Sequence, residues 1–131
     1  MQDLKAYANH YLEKLKGSSS DWEDAYHRLI EADHAILPIL NAAFREESEP
    51  ALRATLVEII WQHRLPGTVD FLAEALEDSN PEVWKNSLDG LVRLGNREAI
   101  QVLESAKCQV KNRQSDRIRW IDEAIQQIMK K

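Results

Sequence analysis

Apolar side chains recur every three or four residues along most of the chain, the spacing of a buried stripe on an α-helix. Leu4, Tyr7, Ala8, Tyr11, Leu12 and Leu15 predict a first helix over about 2–16, with Gly17 at its C-cap and a polar turn over 17–20. Trp22, Ala25, Tyr26, Leu29 and Ile30 predict a second helix over 21–31, capped by Ser20 or Asp21. Asp33 is placed to cap a third, reaching Glu46, with Ile36, Leu37, Leu40, Ala43 and Phe44 inward and Pro38 tolerated in its first turn. The fourth, about 49–63, carries Leu52, Leu56, Val57, Ile59, Ile60 and Trp61 on more than one face, so it belongs between neighbours at the centre of the molecule. Val69, Leu72, Ala73 and Leu76 define a fifth helix. Val83, Trp84, Leu88, Leu91 and Leu94 define a sixth, opened by Asn80-Pro81 and closed by Gly95-Asn96. A seventh over about 97–107 buries Ala99, Ile100, Val102 and Leu103. A polar loop over 108–115 then leads, through Ser115 or Asp116 as cap, to a last helix with Ile118, Trp120, Ile121, Ala124, Ile125, Ile128 and Met129. No segment reads as a strand.

Two of these elements open on prolines 31 residues apart, Pro50 and Pro81. From there Leu52, Leu56, Ile60, Val69 and Leu72 correspond to Val83, Ser87, Leu91, Ile100 and Leu103, and only the Leu56–Ser87 pair changes character. Leu29, Ile60 and Leu91 extend the period backwards, while Leu40, Leu72 and Leu103 follow it with one residue of loop adjustment. Such a period indicates stacked helical hairpins. The expected architecture is an all-α superhelix of three hairpins, at 21–47, 48–78 and 79–108, with capping segments at 1–20 and 109–131 in a single domain.

The stretch from Asp78 to Ile100 carries Asn80-Pro81, Val83, small residues at Ser87 and Gly90, and Leu94-Gly95 before Ala99-Ile100. It resembles a HEAT-like repeat of the short bacterial type also found in phycobilisome lyases, over residues 49–104. That pattern has a basic residue after the valine. Here Trp84 replaces it, and Arg53 supplies it one repeat earlier. The small positions become Leu56 and Ile59 in the preceding repeat, which implies bulkier packing there. The resemblance implies a concave surface lined by the second helix of each hairpin and used to bind a macromolecule. On that face it assigns Asp70, Glu74, Glu77 and Asp78 as an acidic row, with Asn41, Arg45, Gln101 and Glu104 on flanking units. A lyase- or chaperone-like role on a tetrapyrrole or a protein subunit is the alternative that it carries.

Charge sharpens the partner. The net charge is −5, yet residues 21–89 hold fifteen acidic and five basic side chains and residues 90–131 hold five and nine. A negative central segment disfavours nucleic acid and favours a basic protein. A basic cluster, Lys107, Lys111, Arg113, Arg117 and Arg119, leaves nucleic-acid binding as a further alternative. No run of apolar residues is long enough to span a membrane. The start lacks a secretory pattern, and the single cysteine, Cys108, forms no internal disulfide; a cytoplasmic location is expected.

Candidate chemistry is sparse. Asp24, His27, Glu31 and His34 lie near one another in sequence, but a metal site needs convergent ligands with supporting contacts, and a solvated face explains them better. His63 aligns with Leu94 and reads as a partly buried histidine bonding helix-end carbonyls. Cys108 has no identifiable base partner. Trp22 and Trp84, two repeats apart, are either packing residues or aromatic anchors for a partner, and Trp61 and Trp120 are expected in the core. With no phosphate loop, zinc signature or nucleophile motif, the expectation is a non-enzymatic module without cofactors that binds a basic protein, one version being an inhibitor or immunity protein of a toxin.

Overall fold

A computed structural model describes residues 3–16, 21–111 and 115–130. Among them the chain is all-helical: α1 (Leu4–Leu15), α2 (Trp22–Glu31), a 3-10 turn (His34–Ile36), α3 (Leu37–Glu46), α4 (Pro50–Trp61), α5 (Thr68–Leu76), α6 (Pro81–Leu94), α7 (Arg97–Gln109) and α8 (Asp116–Met129). The cap and turn expected at 17–20 lie outside the described residues.

The starts follow from local chemistry. Asp3, Glu49, Asn80, Asn96 and Ser115 each accept a hydrogen bond from a first-turn N–H, satisfying donors that the helix leaves open. Asp33 does so for the 3-10 turn, so α3 itself starts at Leu37. Pro50 and Pro81 occupy first-turn positions where no N–H is needed. The turns after α4 and α6 both pass through a left-handed residue, 31 positions apart. One is Gly95 at φ 57°, the other Arg64 at φ 57°, a conformation that strains a side chain.

Helices α2, α4 and α6 form one layer and α3, α5 and α7 the other. Helix α1 closes the near end against α2 and α3, and α8 closes the far end against α6 and α7. The core runs the length of the stack, from Leu29, Leu40 and Phe44 through Leu56, Ile59, Ile60 and Leu72 to Leu91, Leu103 and Ile121. Helix α4 lies at the centre, as its many-sided apolar pattern predicts, burying Ala54, Leu56, Val57, Ile59 and Ile60.

The two junctions between hairpins differ. Helices α4 and α6 make the most extensive contact in the molecule. Gly90 permits it: a Cβ there would lie 2.8 Å from Cβ and Cγ of Trp61. Ser87, buried at the other small position, donates to the Leu72 carbonyl at 2.5 Å. In α4 the corresponding positions hold Leu56 and Ile59, both buried. Helices α2 and α4 touch far less, and the α3 and α5 backbones stand apart, bridged by side chains.

Several details differ from the sequence reading. Helix α7 continues to Gln109, so Cys108 is helical rather than part of a loop. Phe71 and Ala75 are buried in α5, whereas Ala73 is only half-buried. Trp120 is 43% exposed rather than core, and Trp61 is half-buried. Trp84 is buried, packed edge-on against Trp120, because the end cap α8 folds over it.

Candidate functional site

Between α3 and α5, at the open junction, lies a groove of about 580 Å³. Leu37 and Pro38 of α3, Leu65 and Pro66 of the turn before α5, and Phe71 of α5 form its apolar lining. Phe71 is fixed edge-on against Phe44 of α3, with ring centroids 5.1 Å apart. Thr68 locks the turn at the groove's end by donating its hydroxyl hydrogen to the Leu65 carbonyl at 2.7 Å. The polar lining is Asn41, Arg45, Asp70 and Glu74. These are four of the eight positions assigned to the partner surface, drawn together from two hairpins.

Arg45 and Glu74 cross the groove's rim as a fork. Nε and Nη2 donate to the two carboxylate oxygens at 3.0 and 2.9 Å. The arginine holds the Glu74 carboxyl below the usual carboxylate range, and Glu74 raises the guanidinium in turn. Both side chains stay in water, 55% and 42% exposed, so the pair adds little to stability. Asp70 is exposed beside it. Asn41 points its Oδ1 into the wall, enclosed and without a donor among the described residues. A buried acceptor left unmatched is uncommon and calls for an explanation.

The other assigned positions separate. Asp78 is not part of an exposed row. Its carboxylate is 13% exposed and takes Arg53 Nη2 at 2.6 Å and the Asn80 N–H at 2.9 Å. Arg53 also donates to the Phe44 and Glu47 carbonyls at 2.8 Å each and lies over the Phe44 ring, 4.0 Å from its centroid. It thereby satisfies the open end of α3 and clamps the first hairpin to the second. One repeat on, Trp84 takes the place of this arginine. Arg117 of α8 reaches in instead, donating to the Asp78 carbonyl at 2.8 Å and covering the Trp84 ring. Glu77 faces a separate cleft toward α7, and Gln101 and Glu104 are exposed on α7 away from the groove. Trp22 is half-buried, stacked on Tyr26, and lines a cleft by α1 and α4; Trp84, being buried, offers no anchor.

The remaining candidates resolve into internal contacts. His63 bonds the Leu29 carbonyl through Nε2 at 2.9 Å, so a neutral His63 leaves Nδ1 bare to accept from His34 Nδ1 at 3.0 Å. Burial lowers the His63 pKa; the Leu29 bond opposes that and nearby His34 adds to it. Tyr26 donates to Glu58 at 2.5 Å and accepts from Gln62 at 2.6 Å, and burial together with Glu58 pushes its hydroxyl up to about 12. Among the described residues no three His, Cys, Asp or Glu side chains gather to hold a metal. In the basic cluster, Lys107 pairs with Asp122 and Arg119 with Asp116, each at 2.6 Å, and Arg113 lies outside the described residues. Cys108 is an exposed thiol.

A family model for HEAT repeats matches residues 37–120, more than half of the chain. The chain belongs to the HEAT-repeat family. Among curated proteins no match is found. HEAT-repeat chains usually serve as non-catalytic scaffolds for protein interaction, and the open groove lies between the second helices of two neighbouring repeats. No helix among the described residues of this HEAT-repeat chain is long and apolar enough to cross a membrane.

The sequence reading named the polar groove residues but missed its apolar lining, the Arg45–Glu74 fork and the His34–His63 pair. Both pairs are 29 residues apart, close to the repeat period. That spacing was the available signal, because a near-period offset sets two side chains side by side on adjacent units.

Proposed function

We propose that this HEAT-repeat chain is a non-catalytic binding module that holds a basic segment of a protein partner in the groove between α3 and α5. The observation that carries this reading is the groove's composition: an apolar lining bordered by two carboxylates, Asp70 and the Arg45-paired Glu74. A surface that offers acceptors beside apolar area suits a segment with basic and apolar side chains. The −10 balance of residues 21–89 extends the attraction beyond the contact and speeds encounter with a positive partner. One version is an inhibitor that masks a basic toxin or nuclease, in the cytoplasm, where a lone exposed thiol stays reduced. The negative balance of residues 21–89 repels phosphates and makes the nucleic-acid alternative the poorer account.

Affinity capture at low salt, with the natural chain beside an Asp70→Lys/Glu74→Lys variant, tests the reading. A basic protein retained by the natural chain, released by moderate salt and lost with the variant supports it. A partner held equally by both chains overturns it.

A further inference from the structure

The groove already contains one guanidinium, supplied by the protein itself. Arg45 reaches across from α3 and fills both oxygens of Glu74, the geometry that an arginine from outside would adopt. Three observations mark this contact as exchangeable. Both side chains are about half in water, where an ion pair is held weakly. The contact spans helices whose backbones stand apart, so its release breaks no helix packing. Asp70 in the same groove adds an acceptor that Arg45 leaves unused in the free protein, and Asn41 lines the groove with an amide oxygen that has no donor among the described residues. Guanidinium carries five donors and no acceptor, which matches a site composed of acceptors.

We propose that Arg45 is a placeholder: in the complex an arginine of the partner takes its position on Glu74, and Arg45 swings out to solvent. This rests on the groove reading above and names the group that the groove selects. Exchange of one fork for another leaves the number of charge-assisted bonds unchanged. The gain comes from Asp70, from Asn41 once its amide turns toward the groove, and from apolar side chains of the partner covering Leu37, Pro38 and Pro66. Lysine, a point donor without the fork, makes a poorer substitute.

The test uses the full chain and two small probes, Nα-acetyl-arginine amide and Nα-acetyl-lysine amide, titrated while backbone NMR shifts are followed. The natural chain should show shifts at Asn41, Asp70 and Glu74 with the arginine probe, at least threefold stronger in affinity than with the lysine probe. Arg45→Gln should tighten the arginine probe at least threefold, and Glu74→Gln should lose it. Both substitutions are exposed, and an unchanged thermal midpoint confirms that folding is intact. Arginine binding that is unchanged or weaker in Arg45→Gln, or lysine binding equal to arginine, overturns the placeholder while leaving a basic partner in the groove. No groove shift with either probe in any of the three chains overturns the placeholder. A captured basic protein whose binding ignores Asp70→Lys/Glu74→Lys instead overturns the groove reading itself.

Discussion

Where the second hairpin meets the third, a glycine and a serine let α6 settle directly onto α4 and α5. Where the first meets the second, leucine and isoleucine occupy the same repeat positions, the helices stand further apart, and polar side chains hold the gap. Arg53 clamps α3, His63 bonds α2, Tyr26 bridges to Glu58 and Gln62, and Arg45 forks onto Glu74. The tight junction buries apolar area, and the cleft that Glu77 shares with α7 is smaller, about 330 Å³. The loose one is directional, titratable and partly open, and the groove lies there. Two side-chain volumes in one helix accompany the difference between a closed repeat junction and an open one.

The largest change should come from removing the polar clamp. Arg53→Ala removes the donor shared by the Phe44 and Glu47 carbonyls and strips the half-buried Asp78 carboxylate of its counter-ion, at a cost of about 3 kcal/mol by denaturant unfolding. A loss below about 1 kcal/mol would mean that the apolar contacts alone hold the first junction. At the tight junction Gly90→Ala sets a methyl group against Trp61, and the strain outweighs the gain in helix propensity, for a net loss of about 1–2 kcal/mol. A stabilised Gly90→Ala chain would show that α4 and α6 do not need the close approach.

A smaller effect concerns pH. The folded His63 has a lowered pKa, so the unfolded chain takes up its proton first on acidification. Its contribution is therefore complete above about pH 6.5 and declines as the pH falls below that, toward the folded pKa. A second proton on the pair would also turn two N–H groups toward each other between His34 and His63. The thermal midpoint of the natural chain should fall between pH 7.5 and 5.5 by more than that of His63→Leu, which borrows the residue found at position 94 one repeat later. Equal slopes would remove the histidine pair from the account of this junction.

The frame of the molecule was legible because periodicity survives in a linear chain: Pro50 and Pro81, Leu29, Ile60 and Leu91 mark the layers without any knowledge of distance. The departure at Leu56 and Ile59 was legible too, as bulk. Its consequence, a groove, was not, because it depends on how far apart two backbones come to rest. The acidic row of residues 70–78 illustrates the same limit. Sequence shows four carboxylates; the structure ties Asp78 to Arg53, ties Glu74 to Arg45, turns Glu77 toward α7 and leaves Asp70 in the groove. Trp120 lies outside its expected place in the core for a related reason, since the pose of a capping helix is set by packing rather than by a repeat.

On the proposed reading, recognition belongs to the loose junction and not to the helical face as a whole. Asp70 in the groove and Glu104 on α7 are both exposed carboxylates on second helices, and each can be reversed to lysine without touching the core. The affinity of the captured partner for Asp70→Lys and for Glu104→Lys, measured side by side at moderate salt, tests the claim. The account predicts at least a tenfold loss for Asp70→Lys and less than a twofold change for Glu104→Lys. Equal losses, or a larger loss at Glu104, would contradict it.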